Sequence, residues 1–191
     1  MPPRIGADST RERVLDAATA EFAAHGIAGA RVDRIAKAAK TSKERVYAYF
    51  SSKEELYRRV SAHELAAIAK ATRLDPADLP GYAGRVHDHF AAHPERHRLL
   101  MWGRLELAPA GDPDEDPFER ALAHKVEQLR AAQEAGHLDP SWDPLDVLTL
   151  LNQIAMSWAG QQEPEDGDLA AARRAAIVTA VQRLFPATAS A

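Results

Sequence analysis

The chain has 191 residues and 20.9 kDa, 46% hydrophobic and 27% charged, globular proportions that can bury a sizeable core. It has no cysteine, which excludes disulfides, zinc–thiolate sites and cysteine nucleophiles and suits a reducing cytoplasm. The formal charge of −4 is split: residues 1–60 hold 12 Lys+Arg and 8 Asp+Glu, net +4, while residues 61–191 hold 12 and 20, net −8, so the first third is the part suited to a polyanion.

No run of 18 apolar residues predicts a membrane span, and Met1–Asp8 shows no apolar core of a secretory signal. There are 39 alanines and 18 leucines against 22 Val, Ile and Thr, and no convincing alternating run, so the chain reads as all-α.

A first helix is predicted from Ser9, where Ser9-x-x-Glu12 forms a capping box, with Val14, Leu15, Ala18 and Phe22 on one face. Gly26 ends it where a left-handed residue is needed, and Ile27 can fold back. A second helix covers about Arg31 to Ala39, with Val32, Ile35, Ala36 and Ala39 inward. Lys40-Thr41-Ser42 is a turn. A third helix follows Thr41 or Ser42, with Thr41-x-x-Glu44 as a second box and Val46, Tyr47 and Phe50 as its apolar face. Ser52-x-x-Glu55 opens a fourth helix of about 20 residues that stops at Leu74-Asp75-Pro76.

Two short helices joined by a tight turn and braced by a preceding helix make a helix-turn-helix unit. The exposed positions of its second helix are Lys43, Glu44, Arg45, Ala48 and Tyr49. Arginine reads guanine O6 and N7, glutamate accepts from cytosine N4, and an alanine methyl meets that of thymine. Tyr47, Tyr49 and Lys53 suit phosphates.

The residues also carry a resemblance. Val32-Asp33-Arg34-Ile35-Ala36-Lys37-Ala38-Ala39, Ser42-Lys43, Val46-Tyr47-Ala48-Tyr49-Phe50 and Ser52-Lys53-Glu54-Glu55-Leu56, with Phe22-x-x-x-Gly26 upstream, resemble the DNA-binding domain of TetR-type bacterial repressors over about residues 9–60. The resemblance implies a three-helix head in residues 1–60, a helical ligand-binding and dimerisation body in 61–191, about nine helices in all, and a homodimer closed by the last two. It implies a palindromic double-stranded DNA operator, a small-molecule effector, no membrane partner, no cofactor and no enzymatic activity. By position, Arg31, Val32, Ser42, Lys43, Glu44, Arg45, Tyr47, Tyr49 and Lys53 are the implied DNA contacts. The chain departs from the family at Lys40-Thr41, where Gly-Val is usual, so Lys40 is expected to carry a modest backbone strain or to change the turn, and with it the pose of the third helix, slightly; it could instead add a phosphate contact.

The body repeats a cap, often a proline at the first helical position, and a helix. Helices are predicted from Leu79 to about Ala92, from His93-Pro94 through Leu107, from Asp116-Pro117 to Gly136, from Leu145 to about Ala159, and from Leu169 to Phe185. The 145–159 segment is apolar nearly all round and 169–185 along one face, so the pair is expected to form a dimer interface. Phe90, Met101, Trp102, Leu105, Phe118, Asn152, Met156 and Trp158 are the candidate pocket residues, suited to a hydrophobic or amphipathic guest. His89, His93 and His97 are four apart, but Pro94 interrupts their helix and no metal site is expected. Two alternatives stand beside the ligand-responsive repressor: a DNA-binding regulator without a small-molecule effector, and a helical enzyme using the histidines.

Overall fold

The structure is a computed structural model that describes residues 5–107, 117–160 and 167–186; the side chains of 5–8, 117–119 and 121 lie outside that description. The described residues form nine helices and no strand: α1 (Ile5–Gly29), α2 (Val32–Ala38), α3 (Lys43–Tyr49), α4 (Lys53–Ala71), α5 (Leu79–Ala92), α6 (Pro94–Glu106), α7 (Pro117–Glu134), α8 (Pro144–Ala155) and α9 (Gly167–Leu184). They divide into two compact units, 1–65 with 95–110 and 66–94 with 111–191.

In the first unit, Val14, Ala18 and Phe22 of α1 pack with Ile35 of α2, Val46 of α3, Leu56, Tyr57 and Val60 of α4 and Leu99 of α6. Phe22 and Tyr57 meet edge to face at 5.3 Å, a favoured aromatic geometry. The buried Tyr57 hydroxyl donates to the Leu99 carbonyl at 2.6 Å, and a Cβ on Gly103 would collide with that hydroxyl, so glycine permits the close approach of α6. Gly26, with φ 69° and ψ −178°, interrupts the helical path of α1 in a conformation open essentially to glycine alone. Ile27 then buries itself as expected, and the Glu106 carboxylate accepts the Ala28 N–H at 2.5 Å.

In the second unit α5 packs on α8 and α9, and α8 on α7 and α9. Leu79, Tyr82, Val86 and Phe90 share a core with Leu129, Leu148, Leu151, Ile177 and Val181. Asp78 and Asp143 cap α5 and α8 by accepting the Gly81 and Leu145 N–H groups, both at 2.8 Å, each with a proline in the first turn. Gln133 ties the α7–α8 connection by donating to the Asp139 and Trp142 carbonyls. The α8 helix is shorter than its apolar pattern suggested. It ends at Ala155 with Met156 as its C-cap, so Trp158 stands beyond it. Arg174 of α9 pairs with Asp88 of α5, with Nε 2.9 Å from each carboxylate oxygen.

Candidate nucleic-acid interface

The helix-turn-helix is positioned from α1. Glu21 of α1 accepts the Arg31 N–H at the start of α2 at 2.9 Å and Arg34 Nε at 2.7 Å. Burial pushes the Glu21 carboxyl up, but the Arg34 and Arg31 hydrogen bonds and the Arg34 charge outweigh it and hold the group below its ordinary 4.5. Arg13, also on α1, donates to the Ala39 carbonyl past the end of α2 at 3.2 Å. Both ends of the short α2 are therefore held by side chains of α1.

The turn closes as a Schellman motif. Thr41 N–H donates to the Ala36 carbonyl at 3.0 Å and Lys40 N–H to that of Lys37 at 3.2 Å. The motif puts its central residue in the left-handed region, and Lys40 has φ 54°, the one positive φ at a non-glycine among the described residues. The expected strain is present, and the turn keeps its geometry without glycine.

The cap of α3 is Ser42 rather than the Thr41-x-x-Glu44 box: Ser42 Oγ accepts the Arg45 N–H at 3.2 Å. Only Val46 of α3 is buried, with Phe50 directly after it. Lys43, Glu44, Arg45, Ala48 and Tyr47, the last 45% exposed, face solvent. Seven residues held by two apolar anchors present an almost complete polar surface.

The other implied contacts divide. Arg31 and Ser42 are exposed, although the Ser42 hydroxyl is occupied as the cap. Val32 is 8% exposed and its side chain joins the core, as its place on the inward face of the helix predicts, so what it can offer DNA is its backbone N–H at the start of α2. Tyr49 is half-buried with its ring 6.3 Å from that of Phe50. The Lys53 ammonium is turned back onto the end of α1, donating to the Ala28 and Ala30 carbonyls at 3.1 and 3.4 Å. Lys43 lies 3.1 Å from Asp33 of α2, and that hydrogen bond and charge hold its ammonium above the ordinary 10.5.

The nominated ligand residues divide between the two units. In the first unit Met101 and Trp102 are half-buried, while Leu105 is 76% exposed and lines no interior surface there. In the second unit Phe90 is core, Asn152 bonds Tyr82, Met156 is half-buried, and Trp158 carries the Arg173 guanidinium 5.3 Å from its ring centroid. The Phe118 side chain lies outside the described residues. A cavity of about 30 Å³ in the second unit, lined by Leu79, Leu138, Trp142, Val147 and Phe185, touches none of these residues and has room for little more than a water.

His89 packs against Phe90 and against His93, whose ring is 5.2 Å away, and Pro94 starts α6 between His93 and His97. Among the described residues no three His, Asp or Glu are grouped to hold a metal, and no helix is long and apolar enough to cross a membrane. One polar group had escaped notice in the sequence. Lys125 interrupts the apolar stripe Leu122, Leu129, Ala132 of α7, and a cation at such a spacing is the signal that could have found it.

The family model for bacterial regulatory proteins of the tetR family matches residues 14–60, and that for the tetracyclin repressor-like C-terminal domain matches residues 78–183. The HTH-type transcriptional repressor SCO4008 of Streptomyces coelicolor is 41% identical over 152 residues, covering 80% of this chain and 79% of that one. The repressor NicS of Pseudomonas putida is 38% identical over 106 residues, 52% of this chain and 50% of its own. The crystal structure of the regulator SCO4942 of Streptomyces coelicolor superposes with a TM-score of 0.78 at 57% identity, covering 93% of this chain and 98% of that one.

Proposed function

We propose, from the premise that this chain belongs to the TetR family of bacterial regulatory proteins, that it is a homodimeric repressor released from a palindromic operator by a small hydrophobic or amphipathic molecule. Membership makes it a DNA-binding transcriptional regulator and not an enzyme. The observation that carries the reading is the α3 surface: Lys43, Glu44, Arg45 and Tyr47 are exposed together on a helix fixed by Val46 and Phe50. Arg45 reads a base edge, Tyr47 and Arg31 hold phosphates, and Lys43 shifts from Asp33 to the backbone when DNA arrives. In the absence of DNA, Lys53 serves to fix the end of α1.

Assembly draws on α8 and α9. Leu145 and Leu169 are 45% and 46% exposed, and Leu150, Ile154 and Val178 are half-buried, leaving apolar surface for a second copy. Val181 is fully buried within the chain, so a charge there unfolds the unit, and Leu145→Glu is the better test of assembly. Light scattering should give twice 20.9 kDa for the parent protein and a lower mass for Leu145→Glu. The α4 helix, which has residues in both units, is the element through which a ligand acts on the head. Two heads must meet half-sites about 34 Å apart, and a ligand that prefers the DNA-incompetent state 100-fold supplies about 2.7 kcal/mol of coupling.

The test is selection of bound duplexes by the purified protein, followed by binding at several salt concentrations. A palindrome should emerge, with affinity falling as salt rises. Arg45→Ala should relax one base position at a cost of about 1–3 kcal/mol. No sequence preference, or salt-independent binding, sinks the reading.

A further inference from the structure

Lys125 is a cation on a buried face. Leu122, Lys125, Leu129 and Ala132 recur at spacings of three, four and three along α7, which places them on one side of the helix. Leu129 and Ala132 are buried and Leu122 is half-buried. Lys125 Nζ donates to the Tyr82 hydroxyl oxygen at 2.9 Å and stands 5.0 Å from the centroid of that ring. Tyr82 of α5, itself fully buried, donates its hydroxyl proton to Asn152 Oδ1 of α8 at 3.1 Å. Three helices of the second unit thus converge on one polar cluster.

Among the described residues, the donors of this half-buried cluster outnumber its protein acceptors. An ammonium brings three N–H donors and no acceptor, and an asparagine amide brings two donors and one oxygen. The Tyr82 oxygen takes one ammonium proton, and the Asn152 oxygen takes the hydroxyl proton. No other protein acceptor among the described residues meets the remaining Lys125 donors or the Asn152 amide N–H groups, and no carboxylate there pairs with the lysine. Tyr82 does not supply the missing anion, because burial pushes its hydroxyl up to about 12 and keeps it neutral. Burial alone pushes the Lys125 ammonium below its ordinary 10.5. A half-buried cation with no carboxylate partner among the described residues is costly, and a leucine at this position would complete the stripe. Polar groups that break the local rule in this way are expected where a ligand completes them.

We propose that Lys125 and the Asn152 amide are the anchor for an anionic head group, and that the effector is an amphipathic molecule bearing one carboxylate. This rests on the reading that the second unit receives a small molecule, and it adds the chemistry of the recognised end. The carboxylate oxygens accept from Nζ and from the Asn152 amide, the charge-assisted bonds the cluster lacks. Met156, one turn beyond Asn152 and half-buried, offers adaptable surface to the apolar body.

The probe is octanoate, with octanol as its neutral counterpart, titrated calorimetrically into the full chain. Octanoate should bind at least tenfold more tightly than octanol. Lys125→Met should abolish that preference, Lys125→Arg should retain most of it, and Asn152→Leu should reduce it. Equal binding of the two probes, no octanoate binding up to millimolar concentration, or a preference that survives Lys125→Met overturns the anchor. Operator release by the parent protein is followed in parallel. Carboxylate-selective binding that leaves the operator bound upholds the anchor and sinks the ligand-release reading. Equal release by octanoate and octanol overturns the anchor and upholds ligand release.

Discussion

Replacing Lys40 by glycine should stabilise the protein and weaken its grip on DNA. Lys40 has φ 54° at the centre of the Schellman turn between α2 and α3. Holding a residue with a Cβ in that region costs about 1–2 kcal/mol. Glycine removes that cost but loses about 0.4–1 kcal/mol through the greater freedom of the unfolded chain. The difference spans about 0–1.6 kcal/mol and centres on about 0.8, or about 2–3 °C in Tm for a chain of this size. The exposed side chain contributes no packing to offset it. A reciprocal control sits in the same molecule. Past α7, Gly136 has φ 76° and its N–H donates to the Gln133 carbonyl, while the His137 N–H donates to that of Ala132, the same pair of bonds. A Cβ at Gly136 meets nothing within 4 Å, so Gly136→Ala isolates the backbone cost and should destabilise by about 1 kcal/mol. Lys40→Ala removes the charge, keeps the Cβ and should gain nothing comparable. Urea unfolding followed by circular dichroism reads the midpoints, with unchanged slopes as the condition for comparison. Operator binding reads the charge: if Lys40 meets a phosphate, Lys40→Gly and Lys40→Ala should both lower the salt slope by about 0.9. Equal stability of Lys40→Gly and Lys40→Ala would refute the strain argument.

Other expectations follow from single contacts. Asp33→Asn frees Lys43 and removes a negative charge beside the DNA-facing helix, so operator affinity should rise and its salt dependence steepen, read by fluorescence anisotropy. The folded Glu21 carboxyl lies below its ordinary 4.5, so its contribution is present above that value and is lost as pH falls through the lower folded one; Glu21→Gln should flatten this part of the acid stability profile. Tyr82 should ionise only near pH 12 in ultraviolet titration of the native protein, and Tyr82→Phe should remove that step. Because its folded pKa is raised, stability from the neutral hydroxyl is complete below its ordinary value of 10 and falls as pH climbs toward 12.

Local chemistry made much of this molecule legible in the sequence. Helical spacing, prolines in first turns and the cap at Ser52 are interactions between residues a few positions apart, and the observed helices follow them. The same holds for Lys40, whose backbone conformation goes with the bonds that close the end of α2. The exposed face of α3 was readable in part: Lys43, Glu44, Arg45 and Ala48 are exposed as the spacing predicts, whereas Tyr47, expected on the apolar face, is 45% exposed and Tyr49, expected outside, is half-buried, because Val46 and Phe50 alone anchor the helix. Tertiary packing decided the rest. Ser42 rather than Thr41 caps α3, a one-residue choice that the two overlapping signals left open. Lys53 went to the carbonyls of α1, because acceptors 23 to 25 residues away compete with solvent. The inclusion of α6 in the first unit depends on Tyr57 reaching Leu99, 42 positions on, and on Gly103 leaving room for its ring. Lys125 shows the difference most plainly. Its charge is local, but which groups surround it, with no carboxylate partner among the described residues, is decided by α5, α7 and α8 together, because pairing and desolvation act through space and not along the chain.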